Sequence, residues 1–300
     1  ASNPSYTYVP DDNFEQALID LGYDDTLDNY VLSTNISVVT SLNVSQKEIS
    51  NLTGIESFTA LTHLQCEYNS LTTLDVSSNT SLTHFDCGGN QLTTLDVSNN
   101  TALFSFECYD NQLTSLDVSN NTNLDELYCQ NNQLTTLDVS NHTSLRWLTC
   151  STNLLTNLSL TPNNTALTHL QCEYNSLTTL DVSSNTSLTH FDCGGNQLTT
   201  LDVSNNTALF SFECYDNQLT SLDVSNNTNL DELYCQNNQL TSLDISANTA
   251  LTFLHCENNQ LTTLDVSNNT ALTKLYCQEN QLTSLDVSAN TALTGLWCQD

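Results

Sequence analysis

The sequence predicts a mostly β solenoid, in which short coils of the chain stack along one axis. Twelve cysteines set the period, because consecutive cysteines from Cys66 to Cys298 are 21 residues apart, except for the 22 residues between Cys150 and Cys172. A repeat of this length can bury its apolar side only against its neighbours, so the repeats must stack. Asn, Thr, Ser and Val fill the repeats and are poor helix formers, which favours extended segments over helices.

Each repeat follows the pattern L-x-x-L-x-C-x-x-N-x-L, as in Leu61–Leu71. The pattern resembles the leucine-rich repeat with cysteine in the third apolar position, and it covers about four fifths of the chain. The resemblance implies a right-handed leucine-rich-repeat superhelix with a parallel sheet. The segment Val39–Ala60 is similar to the 22-residue repeats of internalin-type surface proteins, and Tyr8–Glu15 is similar to the start of secreted leucine-rich repeat proteins of Bacteroidetes.

The domain organisation follows from where the repeats begin. We expect an N-terminal cap over 1–38, a variant first repeat over 39–60, twelve repeats over 61–300 and no C-terminal cap. In the cap, Phe14, Ala17 and Leu18 follow an acidic start at helical spacing, and Gly22 is a natural stop. The cap should therefore contain a short amphipathic helix, with a second turn near Leu27.

The cysteines occupy positions where the repeat needs core leucines. We expect them to form an inward-facing column, with neighbours about 4.8 Å apart across parallel strands. Side chains on adjacent parallel strands point the same way and miss the torsion that a disulfide needs. The sequence therefore predicts free thiols that fill the core, and no thiolate metal site, because no repeat brings two cysteines together.

The charge balance excludes several function classes. The chain has 34 Asp and Glu against three Lys and Arg, a formal net charge of -31, which disfavours nucleic acid and anionic membranes as partners. It has no run of 18 apolar residues, so we expect no membrane insertion. The start at Ala1 and the lack of Met suggest a mature secreted or bacterial cell-surface protein without its signal peptide, although a shortened chain would start the same way.

The variable positions flank the Leu and Cys of each strand, where alternation points them outward. They combine aromatic, histidine and acidic residues, and residues 59–135 recur unchanged as 165–241. Rings on a rigid sheet suit stacking on sugars or anchoring a protein, although aromatic residues also simply favour strands. The candidate ligand-binding residues are Tyr109, Tyr128, Trp147, Tyr215, Tyr234, His255, Tyr276 and Trp297.

The opposite face carries one Asp per repeat, as at Asp75. Carboxylates on adjacent coils repel each other, so something must stabilise them. Hydrogen bonds from neighbouring backbone N–H and Ser groups could do this, or bound cations could. Calcium could also bind a cap cluster made of Asp24, Asp25 and Asp28, which lacks the Gly and terminal Glu of an EF-hand loop. We assign no metal site and no cofactor, and Ca²⁺ is the one ion left open.

No enzymatic motif is found. The histidines lack a nucleophile motif beside them, and no phosphate loop or dinucleotide fingerprint occurs. Repeated copies of one surface suit multivalent binding better than a single chemical centre. We therefore expect a non-enzymatic recognition and adhesion module that binds a protein or glycan ligand. The alternative is a structural stalk or a self-assembling extracellular filament, whose assembly could depend on cations.

Overall fold

The computed structural model describes residues 5–299, and the chain divides into two compact units, the first ending at Asp138 and the second beginning at Val139. Each unit is a stack of coils, and one half of each coil contributes a three-residue strand to a parallel sheet. Helices are few and short. The predicted mostly β solenoid with a parallel sheet is therefore confirmed. None of the helices in the described part of the chain is long and apolar enough to cross a membrane.

The N-terminal part of the first unit contains the predicted helix. Strand β1 (Tyr6–Tyr8) precedes helix α1 (Asp12–Asp20), and β2 (Tyr30–Leu32) precedes the single turn α2 (Ser33–Ile36). Helix α1 buries its apolar side as expected, and Gly22 follows it at φ +80°. The second turn expected near Leu27 is wrong, because β2 follows instead and pairs antiparallel with β1.

The repeated strands of the first unit pair in sequence order and in register. Each central Leu or Phe lies opposite its counterpart in the next coil, as Leu64 lies opposite Phe85. A 3₁₀ turn (Ile55–Ser57) precedes the second of these strands. The strands are β3 (Ser41–Asn43), β4 (His63–Gln65), β5 (His84–Asp86), β6 (Ser105–Glu107) and β7 (Glu126–Tyr128), with β8 (Thr136–Asp138) in the other half of a coil.

The second unit repeats this plan. Its strands are β9 (Trp147–Thr149), β10 (Asn157–Ser159), β11 (His169–Gln171), β12 (His190–Asp192), β13 (Ser211–Glu213), β14 (Glu232–Tyr234), β15 (Phe253–His255), β16 (Lys274–Tyr276) and β17 (Gly295–Trp297). The sheet contains β9 and then β11 to β17 in sequence order, again parallel and in register, while β10 lies in the other half of a coil.

The core of each unit consists of columns of inward-facing side chains, to which each coil contributes one residue per column. Eleven cysteines are buried free thiols, as predicted, and Cys66 Sγ donates to the carbonyl of Asp86 in the next coil at 3.4 Å. Phe85 and Phe106 stack in the core with ring centroids 5.5 Å apart. Cys298 in the last coil is exposed, so the buried column does not include it.

Asparagines complete the hydrogen bonding of the coils. Asn69 Oδ1 accepts from the backbone N–H groups of Lys47 and Ile49, and its Nδ2 donates to the carbonyls of Val44 and Cys66. Its counterparts in later coils make the same kind of contact. This Asn therefore turns inward and satisfies backbone groups of its own coil and of the preceding coil.

The second half of the coil is mostly not assigned to regular strands. Among the residues that the structure describes, only β8 and β10 are regular strands in this half. Elsewhere a buried Asn replaces the strand ladder, and Asn100 Nδ2 donates to the carbonyls of Val76 and Asn79, both at 2.9 Å. A turn closes on this Asn, because its backbone N–H also donates to Val97 O.

A left-handed residue recurs two positions after each buried cysteine. Its φ lies between +50° and +62° after each of the eleven buried cysteines. Non-glycine residues adopt this conformation rarely, and Asn, Asp and Gly tolerate it best. The position holds Tyr68, Gly89, Asp110, Asn131, Thr152, Tyr174, Gly195, Asp216, Asn237, Asn258 and Glu279.

Candidate functional site

The outer side of the parallel strands is the surface on which the candidate residues lie. In β4, His63 and Gln65 are exposed on either side of buried Leu64, which is the alternation that the sequence predicts. Because neighbouring strands are in register, equivalent positions form rows across the coils, such as His63 beside His84. A variable residue in one repeat therefore lies directly beside its counterpart in the next repeat.

In the second unit these rows bring five rings together, which we call the aromatic cluster: Tyr234, Phe253, His255, Tyr276 and Trp297. Tyr234 stacks on Phe253 with ring centroids 4.8 Å apart, and Tyr276 stacks on Trp297 at 4.1 Å with the planes within 3°. Phe253 and His255 both contact Tyr276, at 5.5 and 5.0 Å. Trp297 is 46% exposed, so one ring at the end of the cluster is open to solvent.

Charged groups surround the aromatic cluster. His255 Nε2 lies 2.8 Å from Glu257 Oε2, and Gln278 Nε2 donates to that same oxygen. The ammonium of Lys274 lies 5.9 Å from the Phe253 ring centroid, within reach of a cation–π contact. Burial, then the charge of Glu232, raises the pKa of Tyr234 to about 12, so this phenol stays neutral and can donate a hydrogen bond.

Tyr109 and Tyr215 lie on this surface but are held against the protein. The Tyr109 ring covers Gly88 so closely that a Cβ on that glycine would overlap the ring. Burial, then a hydrogen bond with Tyr68, raises the pKa of Tyr109, and Tyr215 has the same relation to Tyr174. These two rings therefore pack on the sheet and are less suited to stack on a ligand.

Tyr128 and Trp147 are placed differently again. Tyr128 is half-buried in the first unit, and burial followed by the charge of Glu126 raises its pKa to about 12. Trp147 stacks on His169 in the second unit with ring centroids 3.9 Å apart, and its Nε1 donates to Thr149 Oγ1 at 3.2 Å. The eight candidates thus comprise four members of the aromatic cluster, two rings packed on glycines, and Tyr128 and Trp147, which belong to neither group.

The sequence argument missed two kinds of residue. Phe253 occupies an outward position and joins the aromatic cluster, although it was not among the candidates. Tyr68 and Tyr174 project from the left-handed position and contact Tyr109 and Tyr215. The sequence signal for these packed tyrosines is the Gly88-Gly89 pair, which lies between them along the chain. Tyr68 packs over Gly89, and Tyr109 packs over Gly88.

Acidic side chains beside the histidines are partly desolvated. His63, His84, Asp86 and Glu107 line a shallow depression of about 220 Å³ in the first unit. Burial raises the pKa of Asp86 to about 7, although the Gly88 N–H lowers it, and Glu107 raises it further. Among the residues that the structure describes, no three His, Cys, Asp or Glu side chains are grouped to hold a metal ion.

The Asp ladder on the opposite face is stabilised by hydrogen bonds. Asp75 Oδ1 accepts from the Ser77 backbone N–H at 2.9 Å, and Asp202 has the same bond with Ser204. The side chain and backbone of the serine lower the pKa of each Asp. The sequence allows two ways to offset the repulsion between these carboxylates, which are hydrogen bonds from neighbouring groups and bound cations. The structure contains the hydrogen bonds.

Comparison with known proteins places this geometry in a family. The family model described as "Leucine Rich repeats (2 copies)" matches residues 228–269, and the "LVIVD repeat" model matches 127–149. The functional domain of InlJ from Listeria monocytogenes, whose structure includes a cysteine ladder, is 36% identical, with a TM-score of 0.74 over 99% of this chain and 76% of that one. The chain belongs to the internalin-like leucine-rich repeat family.

A sequence match to internalin J and the structure of a second internalin support this assignment. Internalin J of Listeria monocytogenes serotype 4b (strain F2365) is 42% identical over 75 residues, which is 24% of this chain and only 8% of that protein. The internalin InlF of Listeria monocytogenes strain 4b F2365 is 26% identical, with a TM-score of 0.90 over 97% of this chain and 90% of that one. An internalin-like leucine-rich repeat protein is suited to protein interaction at a surface.

Proposed function

We propose that this protein is a non-enzymatic recognition and adhesion module, secreted or displayed at a bacterial cell surface, which binds a protein or a glycan. The aromatic cluster is the observation that carries the proposal. Its five rings form one connected surface on adjacent, in-register strands, so the scaffold holds them rigidly. Rigid aromatic rings are typical anchors of binding surfaces, because little side-chain entropy is lost on binding.

Charge and family narrow the class of ligand. The net charge of -31 opposes polyanionic ligands, so nucleic acid is disfavoured. Carboxylates beside the rings, such as Glu232 and Glu257, can accept hydrogen bonds from sugar hydroxyls or pair with basic residues of a protein. The internalin-like relatives support a role at a surface. The proposed ligand there is a protein or a glycan.

The proposal is tested by removing the open end of the cluster. Replacing Tyr276 and Trp297 with Ala should abolish capture of ligands on a glycan array or on a panel of surface glycoproteins. Binding that survives enzymatic deglycosylation of the glycoproteins identifies a protein ligand, and binding lost with the sugar identifies a glycan.

The matched control replaces two exposed rings outside the strand face, Tyr8 and Tyr30, which contact each other at 5.5 Å in the N-terminal region. This control variant should retain all binding. Equal binding by the Tyr276→Ala/Trp297→Ala variant and the unmodified chain would show that the cluster is not the ligand site.

A further inference from the structure

The aromatic cluster exposes the edges of its middle rings, because neighbouring rings cover their faces. Phe253 in β15 lies between Tyr234 in β14 and Tyr276 in β16, with ring centroids 4.8 and 5.5 Å away and planes inclined at 29° and 32°. Tyr276 has Phe253 on one side and Trp297 in β17 on the other, at 4.1 Å with the planes within 3°. Both faces of Phe253 and of Tyr276 are therefore covered by other rings.

The two rings at the ends of the cluster each have one face that no ring of the cluster covers. On that side of Tyr234 lies Glu213, which is its register partner in β13. Trp297 packs on Tyr276 through its other face, so its uncovered face is directed along the row of strands rather than outward from the sheet. A ligand that approaches the outer surface of the sheet therefore meets mainly ring edges.

This orientation favours a protein over a glycan as the ligand. An aromatic ring carries negative charge density on its faces and positive charge density at its edge, so the C–H groups of a sugar stack on a free face. Ring edges offer apolar C–H groups and, in tyrosine, a hydroxyl. These groups suit close packing against the aliphatic and polar side chains of a protein surface.

Carboxylates border the rings on the same strand face. The strand register places Glu213 beside Tyr234 and Glu232 beside Phe253. Burial, then the charges of Glu173 and Glu232, raises the pKa of Glu213. The negative charge is therefore disfavoured at this position, and a cation supplied by a partner would stabilise it.

The other two carboxylates beside the rings are held by uncharged donors and an imidazole. Glu232 Oε2 accepts from Tyr234 Oη at 3.5 Å. Glu257 Oε2 accepts from Gln278 Nε2 and lies 2.8 Å from His255 Nε2. These contacts hold the carboxylates in place beside the rings, where a cationic group of a partner can reach them.

The basic residue on this part of the strand face is Lys274, whose ammonium lies over the Phe253 ring at 5.9 Å from its centroid. The whole chain has 34 Asp and Glu against three Lys and Arg. A partner with a negative surface is repelled by this charge, and a partner with a positive surface is attracted, with faster association at low salt.

We propose that the aromatic cluster binds a basic protein surface, whose Arg or Lys side chains lie across the ring edges and pair with Glu213, Glu232 and Glu257. Long basic side chains suit this surface because their aliphatic stems pack on apolar groups while their charged ends reach carboxylates. Arg suits it best, since its guanidinium can bond to a carboxylate through two N–H groups. The inference rests on the proposed function, and it selects a protein as the ligand.

The test is a selection from a random peptide library displayed on phage, with the full chain as the target. Phage that also bind the Tyr276→Ala/Trp297→Ala variant are removed first. This variant has the unchanged net charge, so its use discards peptides that bind the acidic protein without contacting the rings. The remaining peptides should contain more Arg and Lys than Asp and Glu, together with apolar residues. The most enriched peptide, made synthetically, is the probe for further variants.

Two matched charge variants locate the cationic contacts. Glu213→Gln/Glu232→Gln/Glu257→Gln should weaken binding of the peptide at least about tenfold and reduce its dependence on salt. The control removes three carboxylates from the Asp ladder of the same unit, in Asp202→Asn/Asp223→Asn/Asp244→Asn. It changes the net charge equally, yet it should weaken binding less than about twofold, because salt screens distant charges.

Lys274 provides a test of the opposite sign. Lys274→Gln should strengthen binding of the basic peptide by about threefold, because it removes a repelling cation beside the rings. A ligand with acidic groups, such as a sialylated or sulfated glycan, would instead bind this variant more weakly. Weaker binding of the selected peptide by the Lys274→Gln variant would contradict the proposed contacts.

The outcomes separate this inference from the proposed function. Binding to a glycan array that depends on the rings, without any peptide that does, would overturn the inference and leave the proposed function intact. Selected peptides without an excess of Arg and Lys, or equal losses in the two charge variants, would overturn it as well. If neither glycans nor peptides distinguish the ring variant from the unmodified chain, both proposals fail.

Discussion

Asp11 Oδ2 accepts the backbone N–H of Ser50 at 2.9 Å, across 39 residues of chain. The same oxygen accepts from Ser50 Oγ and from the Asn51 N–H, at 2.8 and 3.0 Å. The other carboxylate oxygen accepts from the N–H groups of Asn13 and Phe14, which begin helix α1. A single side chain therefore caps the helix and fastens it to the first coil.

Replacing Asp11 with Ala should weaken this attachment. The change removes five hydrogen bonds to a charged group, and loss of a helix cap together with such bonds typically costs about 3 kcal/mol. Hydrogen exchange of the α1 amides measures the opening free energy directly. Asp12→Ala, at the exposed neighbouring position, is the control and should change it little. Equal protection in both variants would contradict the attachment.

The unfolding free energy should depend on pH through Asp86 and its copy Asp192. Burial raises their pKa values to about 7 and about 8, well above those of an unfolded Asp. A raised folded pKa means that the folded state binds the proton more tightly, so the contribution is fully present below about pH 4 and is lost as the pH rises towards 8. Urea midpoints should therefore increase as the pH falls from 8 to 5.

The Asp86→Asn/Asp192→Asn variant is the control for this prediction, because its midpoint should be nearly constant over that range. The ladder residues, such as Asp75, have lowered pKa values, since serine groups bond to the charged form. Their contribution is present above about pH 4 and is lost below it. A midpoint of the unmodified chain that is unchanged between pH 5 and pH 8 would contradict the role of these two partly buried carboxyls.

The fold could be predicted from the sequence because its determinants are periodic. One residue type per column fixes what faces inward, so Leu64 and Cys66 could be placed from spacing alone. The state of an individual ring could not be predicted. Tyr109 and Tyr276 occupy outward positions of equivalent repeats, yet the first lies on a glycine of the preceding repeat and the second stacks on Trp297. That difference depends on the neighbouring coil.

Thr152 should be strained, because it is a β-branched residue at φ +51°. A non-glycine residue in this region costs about 1–3 kcal/mol, and Asn tolerates it better. Thr152→Asn should therefore stabilise the protein by about 1 kcal/mol, measured by urea unfolding. The reverse change at an equivalent position, Asn131→Thr, should destabilise it by a similar amount. Changes of the same sign in both variants would show that the backbone conformation is not responsible.

Gly88 should be required by the ring that covers it. A Cβ at this position would overlap Tyr109, so Gly88→Ala must displace the ring, and overpacking of this kind costs about 1–3 kcal/mol. Backbone strain is not involved, because Gly88, unlike Gly89, lies outside the left-handed region.

A double-mutant cycle separates the clash from other effects of the methyl group. Once Tyr109→Ala has removed the ring, the added Cβ at Gly88 should cost almost nothing in urea unfolding. The same cycle at Gly194 and Tyr215 in the second unit provides an independent repeat, since a Cβ there would overlap that ring as well. An equal cost of Gly88→Ala with and without the Tyr109 ring would disprove the contact.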